Sequence, residues 1–262
     1  MIIIINEAPK LNWGKQLATG LTGLIGITVI WWILASFYEP FILPSPLEVT
    51  VRFLDFVRQG GALAGHFGTT FLEALLGFLI GAAAALPLSY YMYRHPVLNQ
   101  LITPYVVGIQ AVPIVALAPL LVIWFGYGPL SKILIAGLVA FFPVLTNGII
   151  GLREVDPRLK ELLVIMGASP QTVFYKLEVP SALPVLFGGL KMGLTLAVIG
   201  AVVGEFSGAG QGLGYLVNLA RGSFDTALIF IALIALAILG IGFYALLSLL
   251  EYWVMPWKRN RK

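Results

Sequence analysis

A chain of 262 residues that is 59% hydrophobic and only 11% charged is too apolar for an ordinary soluble domain, so its composition indicates an integral membrane protein. The absence of cysteine excludes disulfides and thiolate metal sites. The net charge of +4 is modest, and the basic residues lie near the ends of apolar segments. No soluble stretch remains to carry a groove-binding element, so nucleic acid binding has no support.

Six long apolar segments predict an all-α protein that crosses the membrane six times. Each segment is long enough for a hydrocarbon core of about 30 Å. They cover residues 17–38, 70–93, 101–125, 133–152, 184–204 and 227–253. We therefore expect one membrane domain over residues 17–255, preceded by a leader at 1–16 and followed by a basic tail at 256–262.

The connection after the first segment carries a helix start signal. Ser45, Pro46 and Glu48 form a cap, a first-turn proline and a first-turn acid. This pattern predicts an amphipathic helix. We expect its apolar residues to be partly buried, namely Val51, Leu54, Phe56 and Val57.

The third segment is rich in proline. Pro104, Pro113 and Pro119 all lie within residues 101–125. Proline removes a helical hydrogen bond, and membrane helices tolerate this where neighbouring helices satisfy the freed carbonyl groups. We expect one kinked span here.

The loop at residues 153–183 is the longest charge-bearing interruption in the second half of the chain. Asp156 and Pro157 are suited to the cap and first turn of a helix, and Gly167 is placed to end it. Ser169 followed by Pro170 repeats the start signal. The loop therefore predicts two short helices with a tight turn, a form suited to docking on a water-soluble partner.

The distribution of basic residues predicts which side this loop faces. The leader, the turn at residue 94, the loop 153–183 and the tail carry 11 of the 16 lysines and arginines, while the opposite connections carry 4. Cytoplasmic connections are the ones enriched in lysine and arginine. We therefore expect both termini and the loop 153–183 in the cytoplasm, and we interpret Arg158 and Lys160 as solvated charges of that loop.

Residues within this loop resemble a family signature. Glu161-Leu162-Leu163, three residues, Gly167, nine residues and Leu177-Glu178-Val179-Pro180 are similar to the signature of binding-protein-dependent ABC importer permeases. That signature reads Glu-Ala-Ala, three residues, Gly, nine residues, Ile-x-Leu-Pro. The resemblance implies a type I importer permease in which this loop forms a coupling helix on a cytoplasmic ATPase. The coupling residues would be Glu161, Leu162, Leu163, Gly167, Ala168 and Pro180.

The resemblance also implies an assembly in the bacterial inner membrane. Two permease copies, expected to be identical, would form a pathway with two ATPase subunits below and an external solute-binding protein above. The chain itself has no GxxxxGK[ST] phosphate loop, so ATP and Mg²⁺ would be bound by the ATPase. We expect this chain to bind no cofactor or metal and to perform no catalysis.

Polar and aromatic residues at membrane depth are the candidates for a solute pathway. The set comprises Gln110, Phe141, Phe142, Asn147, Thr195 and Glu205. Weaker candidates, because such groups often bond neighbouring helices, are Gln110, Asn147, Thr146 and Thr195. Glu205 is expected to face the dimer axis or to cap the following loop, a glycine-rich run at 208–214 interpreted as re-entrant. Lys191 and Glu73 are expected to snorkel to opposite interfaces.

The solute is less constrained than the class of protein. The branch that the chain resembles imports sulfonates, nitrate, bicarbonate, pyrimidine precursors of thiamine and riboflavin. An anion route should carry cations at mid-depth, and few occur here. The sequence therefore favours riboflavin or a pyrimidine precursor, with sulfonate, nitrate or bicarbonate as alternatives.

Two other classes of protein fit the sequence less well. An ATP-independent channel or secondary transporter would show paired intramembrane charges or inverted repeats, and neither is evident in the sequence. A membrane-embedded metalloenzyme would need clustered ligands, but the two histidines, His66 and His95, are expected on opposite sides of the membrane. The spacings Gly77/Gly81 and Gly200/Gly204 would permit close helix packing.

Overall fold

The structure, a computed structural model, describes residues 13–257. This part of the chain forms eleven α-helices and one π-helical turn, without a strand. The all-α class expected from the sequence is therefore confirmed, while the predictions for residues 1–12 and 258–262 lie outside the described residues. The helices are α1 (Trp13–Ala35), α2 (Pro46–Arg58), α3 (Leu63–Arg94), α4 (Pro96–Ala111), α5 (Ile114–Phe125), α6 (Pro129–Arg153), α7 (Pro157–Ile165), α8 (Pro170–Val173), α9 (Val179–Phe206), α10 (Leu213–Gly222) and α11 (Thr226–Val254), with the π turn at Phe174–Glu178.

Four stretches of helix are long and apolar enough to cross a membrane. They are α3, α6, α11 and a continuous rod, Pro170–Phe206, made of α8, the π turn and α9. The pair α4 and α5 is a fifth candidate if its two halves count as one span, and the apolar part of α1, Gly20–Ala35, is shorter. The number of six spans therefore stays a prediction.

The third predicted span, residues 101–125, is broken rather than kinked. Helices α4 and α5 meet at 93°. Val112 and Pro113 between them adopt extended backbone, with ψ angles of 123° and 121°. Proline disfavours the helical region for the residue before it, which explains why Val112 leaves the helix. Pro104 and Pro119 stay inside their helices.

The core is centred on α6, which packs between α3 and α9. Small residues let these helices approach closely: a Cβ atom built on Gly81 would lie 2.4 Å from the carbonyl oxygen of Gly137, and one on Gly200 would lie 2.7 Å from the Cα of Ala136. The close packing predicted from both GxxxG pairs is confirmed. Larger side chains fill the space around this crossing, including Phe78, Met92, Leu145, Leu194 and Phe243.

Helix α2 begins where the sequence predicts, but it buries other residues. The Ser45 side chain accepts a hydrogen bond from the Glu48 backbone, and the Glu48 carboxylate accepts one from the Ser45 N–H, which completes a capping box. Val49 is buried and Phe56 is half-buried. The burial predicted for the other apolar residues is wrong, since they are exposed: Val51, Leu54 and Val57.

An ion pair ties α2 to the last span. Arg52 Nε lies 2.7 Å from Asp225 Oδ2. Asp225 also caps α11 by accepting a hydrogen bond from the Leu228 backbone N–H at 2.9 Å. Helix α2, which lies between the first two predicted spans, is therefore fixed to the start of α11.

Candidate functional site

Helix α7 protrudes from the bundle with its apolar side chains exposed. It begins where the sequence predicts, because the Asp156 side chain accepts a hydrogen bond from the Arg158 N–H at 2.9 Å. Five apolar residues of α7 and its end are between 48% and 83% exposed: Leu159, Leu162, Val164, Ile165 and Met166. Exposed apolar surface rimmed by polar residues marks a site of interaction with a protein or with the membrane.

A Schellman motif ends α7 at Gly167. The Ala168 N–H donates to the Leu163 carbonyl at 2.9 Å, and the Gly167 N–H donates to the Val164 carbonyl at 3.0 Å. Gly167 has a φ of +81°, a region that other residues rarely adopt. The sequence thus places a glycine where the turn requires one.

We expect Gly167→Val to open this turn. Space is available for the side chain, but a β-branched residue at positive φ should cost about 1–2 kcal/mol. Hydrogen exchange at the amides of residues 167 and 168 should then accelerate about tenfold. Gly167→Asn is the control and should have a smaller effect, because asparagine adopts positive φ more readily than valine. An unchanged rate of hydrogen exchange in the valine variant would contradict the assignment of a Schellman motif at Gly167.

The other predicted coupling residues are divided between α7 and the base of the rod. Glu161 and Leu162 are exposed on α7, and Leu163 is half-buried. Ala168 is half-buried in the turn, and Pro180 lies in the first turn of α9. The structure therefore brings the first part of the motif onto one exposed helix and the proline into the transmembrane rod.

A buried acid links this helix to two long helices. Glu178 is fully buried in the π turn, and its Oε1 accepts a hydrogen bond from Lys160 Nζ at 2.8 Å. Arg94, the last residue of α3, lies 3.8 Å from the same oxygen. The interpretation of Lys160 as a solvated charge is therefore wrong. Its hydrogen bond to Glu178 raises the pKa of Lys160 above the ordinary lysine pKa of about 10.4. The stabilisation by this pair is therefore fully present below about pH 10.4 and is lost as the pH rises through the raised pKa.

Aromatic rings surround this ion pair. Arg94 lies over the ring of Tyr90, which packs edge-on against Phe174 with 4.8 Å between ring centroids. Lys160 Nζ lies 5.6 Å from the ring centre of Tyr93. We call these residues the basal joint: Tyr90, Tyr93, Arg94, Lys160, Phe174 and Glu178.

Two predicted pathway residues line cavities between the bent pair and the core. Gln110 and Phe142 border a cavity of about 310 Å³ between α4, α5, α6 and α9. Gln110 also borders a second cavity of about 290 Å³, where it is joined by Thr146 and Arg153. The structure therefore brings Gln110 and Phe142 together on one cavity wall.

Three other intramembrane candidates do not border these two cavities, namely Phe141, Asn147 and Thr195. Phe141 packs in the core and contacts Phe142 edge-on. Asn147 donates to the Pro143 carbonyl at 2.8 Å, and Thr195 donates to the Lys191 carbonyl at 2.9 Å. These bonds lie within single helices, so the expectation that Asn147 and Thr195 bond between helices is wrong.

The side chain of Glu205 is buried within the helix bundle, and its carboxylate caps the loop that follows α9. It is 1% exposed and accepts hydrogen bonds from the Thr70 hydroxyl at 2.7 Å and from the Gly214 N–H. Gly212 has a φ of +125°, and a Cβ there would collide with the Glu205 carboxyl group. The loop is shorter than the predicted re-entrant segment, because α10 begins at Leu213.

Two further charges are buried beside Glu205. Glu73 is 5% exposed, so the prediction that it snorkels outward is wrong. Lys132 is 2% exposed and donates to the carbonyl groups of Tyr127, Gly128 and Gly208. Lys132 is one of the four basic residues that the sequence analysis assigned to the opposite connections, and only the packing of α3, α6 and α9 brings these three residues together.

Lys191 is also paired rather than snorkelling. Its ammonium group forms an ion pair with Glu251 of α11 and lies 5.1 Å from the ring centre of Tyr244. The structure therefore contains paired charges within the spans, contrary to the sequence-based argument against a secondary transporter. His66 and His95 lie at opposite ends of α3, about 44 Å apart along a helix, which is too far to share a metal.

The structure is a bundle of long apolar helices with an exposed helix in one connecting loop. The chain belongs to the family of binding-protein-dependent transport system inner membrane components, which matches residues 77–260. The resemblance seen in the loop 153–183 is thereby confirmed. Members of this family are multi-pass permease subunits of the inner membrane rather than catalytic subunits.

Two relatives align along nearly the whole chain. The riboflavin transport system permease protein RibX of Chloroflexus aurantiacus is 42% identical over 259 residues, which cover 98% of this chain and 95% of RibX. The formylaminopyrimidine transport permease protein ThiX of Halalkalibacterium halodurans is 35% identical over 236 residues, 90% of this chain and 94% of ThiX.

The fold is also that of a solved transporter. A chain of the inward-facing MetNI methionine ABC transporter aligns with a TM-score of 0.57 and 16% identity, over 71% of this chain and 94% of that chain. At this identity the match concerns the fold alone. It confirms the predicted type I importer permease architecture.

Proposed function

We propose that this chain forms the solute pathway of an ATP-driven importer and that α7 couples the pathway to a separate ATPase. The observation that carries the proposal is the exposed apolar surface of α7 beside Glu161, in a loop whose spacing matches the family signature. Glu161 would pair with cationic groups of the ATPase, while the apolar residues fill its cleft. ATP and Mg²⁺ would be bound by that partner.

The proposed assembly is a homodimer in the bacterial inner membrane. Each chain offers one coupling helix, so two copies would serve an ATPase dimer with two ATP sites. Both termini and α7 would lie in the cytoplasm, as the 11 to 4 distribution of basic residues indicates. An external solute-binding protein would deliver the solute to the opposite face.

The proposed mechanism is alternating access. ATP binding closes the ATPase dimer and brings the two α7 helices together. The long helices convert this motion into an outward-open pathway, and hydrolysis restores the inward-open state. Ligand-driven change requires only that the two states bind ATP with different affinities.

Riboflavin or a pyrimidine precursor of thiamine is the proposed solute. Support comes from the identity of 42% to RibX and 35% to ThiX. The cavity bordered by Gln110 and Phe142 also has mainly apolar walls, as a planar organic solute requires. Arg153 at the second cavity is the observation that favours the alternative, an anion such as a sulfonate, nitrate or bicarbonate.

Uptake measurements test the proposed solute. We expect proteoliposomes that contain the chain, its ATPase and its receptor to accumulate riboflavin or a formylaminopyrimidine only when ATP is supplied. The same preparation should not accumulate taurine or nitrate. Receptor binding of a sulfonate, without binding of a flavin or pyrimidine, would contradict the proposed solute and leave the permease assignment intact.

A secondary transporter is the second candidate class. The observation in its favour is the buried set of Glu73, Lys132 and Glu205, together with the pair Lys191–Glu251, since charges at membrane depth often mark ion pathways. Uptake driven by an ion gradient in liposomes without an ATPase would favour it. Strict dependence on ATP and on the ATPase would exclude it.

A further inference from the structure

We propose that Glu178 is a positioning residue that transmits movement of α7 to α3 and to the rod Pro170–Phe206. The inference rests on the proposed function, because it assumes that an ATPase moves α7. Its basis is one carboxylate, buried in the π turn, that faces a cation from α7 and a cation from α3.

The contact with Lys160 joins α7 to the rod. Glu178 is 0% exposed, so its carboxylate depends on its partners for the stabilisation that water would otherwise provide. Removing one partner of a buried ion pair leaves an uncompensated charge and is strongly unfavourable. Movement of Lys160 with α7 is therefore expected to carry Glu178, and the base of the rod, with it.

The contact with Arg94 extends the link to a second span. The 3.8 Å between Arg94 and Glu178 is longer than a hydrogen bond, and a shift of about 1 Å would make one. The second carboxylate oxygen of Glu178 is buried and has no hydrogen-bond partner among the described residues. Glu178 thus has unused acceptor capacity near an arginine, so a small shift of α3 against the rod would add a hydrogen bond between them.

The backbone at Glu178 is suited to such adjustment. The Val179 N–H donates to the carbonyl of Phe174, five residues earlier, in place of the usual four. Pro180 follows directly and lacks an N–H, so the regular helical ladder is interrupted here. The ion pair therefore acts on a part of the rod where the regular helical bonds are interrupted.

The test compares transport with ATP hydrolysis in the assembled transporter. Glu178→Gln keeps the size of the side chain and removes its charge, and Lys160→Met removes the partner charge at a side chain that is one-third exposed. The readout is solute accumulated per ATP hydrolysed in proteoliposomes that hold the chain, its ATPase and its receptor. The solute is whichever of riboflavin, a formylaminopyrimidine or taurine the wild type accumulates.

We expect both variants to retain the ATPase, because Glu178 is buried and Lys160→Met leaves Glu161 and the exposed apolar residues of α7 unchanged. Solute per ATP should fall about tenfold in each, as for the loss of a buried charge-assisted pair. The double variant should fall no further, since both substitutions break one link. Lys160→Arg, which keeps the charge, should restore most of the ratio.

Three results would overturn the inference. They are an unchanged ratio in Lys160→Met, an additive loss in the double variant, and loss of the ATPase from either variant. Lys160→Met carries the test alone if Glu178→Gln does not fold. A wild type that binds no ATPase and accumulates none of the three solutes would instead contradict the proposed function.

Discussion

Glu161→Lys should separate the chain from the proposed ATPase partner. Glu161 is exposed on α7 beside apolar side chains, and its carboxylate is proposed to face cationic groups of the partner. Reversing its charge puts like charges together, which costs several kcal/mol at a protein interface. We expect at least about a tenfold loss of ATPase in the complex purified through this chain, since tenfold requires only about 1.4 kcal/mol.

An exposed glutamate elsewhere provides the matched control. Glu39 lies in the connection before α2, which is predicted to face outward. Glu39→Lys makes the same change in net charge and should leave the ATPase bound in wild-type amount. Full retention of the ATPase by Glu161→Lys, or an equal loss in both variants, would show that α7 is not the docking helix.

Gly81→Ala should destabilise the bundle at its tightest helix crossing. The new methyl group would lie 2.4 Å from the carbonyl oxygen of Gly137, so α3 and α6 would have to separate. Overpacking of this kind costs about 1–3 kcal/mol. Thermal unfolding of the purified chain in detergent should show a lowered Tm.

The control for this substitution is another glycine within a helix. A methyl group added to Gly108 of α4 would have no atom within 4 Å, so Gly108→Ala should be neutral or slightly stabilising because alanine favours helices. An unchanged Tm for Gly81→Ala would contradict the close packing of α3 and α6. A similar fall for Gly108→Ala would do so as well, because it would make the effect independent of packing.

Local signals in the sequence predicted the helix ends within the loop 153–183 well. Asp156, Gly167 and Ser169 act through backbone bonds to residues a few positions away, so their roles can be read from short spacings. The same holds for the capping box of Ser45 and Glu48. The glycine pairs were informative for a related reason, since their spacing places both members on one face of a helix.

Contacts between distant residues were not predictable in this way. Glu178 and Lys160 are 18 positions apart, and Thr70 and Glu205 are 135 positions apart. Which charges meet depends on how each helix is rotated about its own axis in the bundle. A single charged residue in an apolar segment does not indicate that rotation. An acid a few residues before a predicted membrane span, as Glu178 is before residues 184–204, is nevertheless a signal that could have prompted a search for a partner.

The break at Val112 and Pro113 shows a different limit of the sequence. Three prolines occur in residues 101–125, and two of them stay within helices. The proline pattern alone therefore does not say which position breaks. A break frees backbone groups that other parts of the protein must satisfy, and the local sequence does not show where such partners lie.

The position of α7 tests the account most directly. The chain has no cysteine, so Ile165→Cys gives one reactive thiol on a side chain that is 83% exposed. We expect a membrane-impermeant maleimide to label it from the cytoplasmic side only, and the bound ATPase to protect it. Labelling from the external side, or equal labelling with and without the ATPase, would contradict the claim that α7 is a cytoplasmic coupling helix.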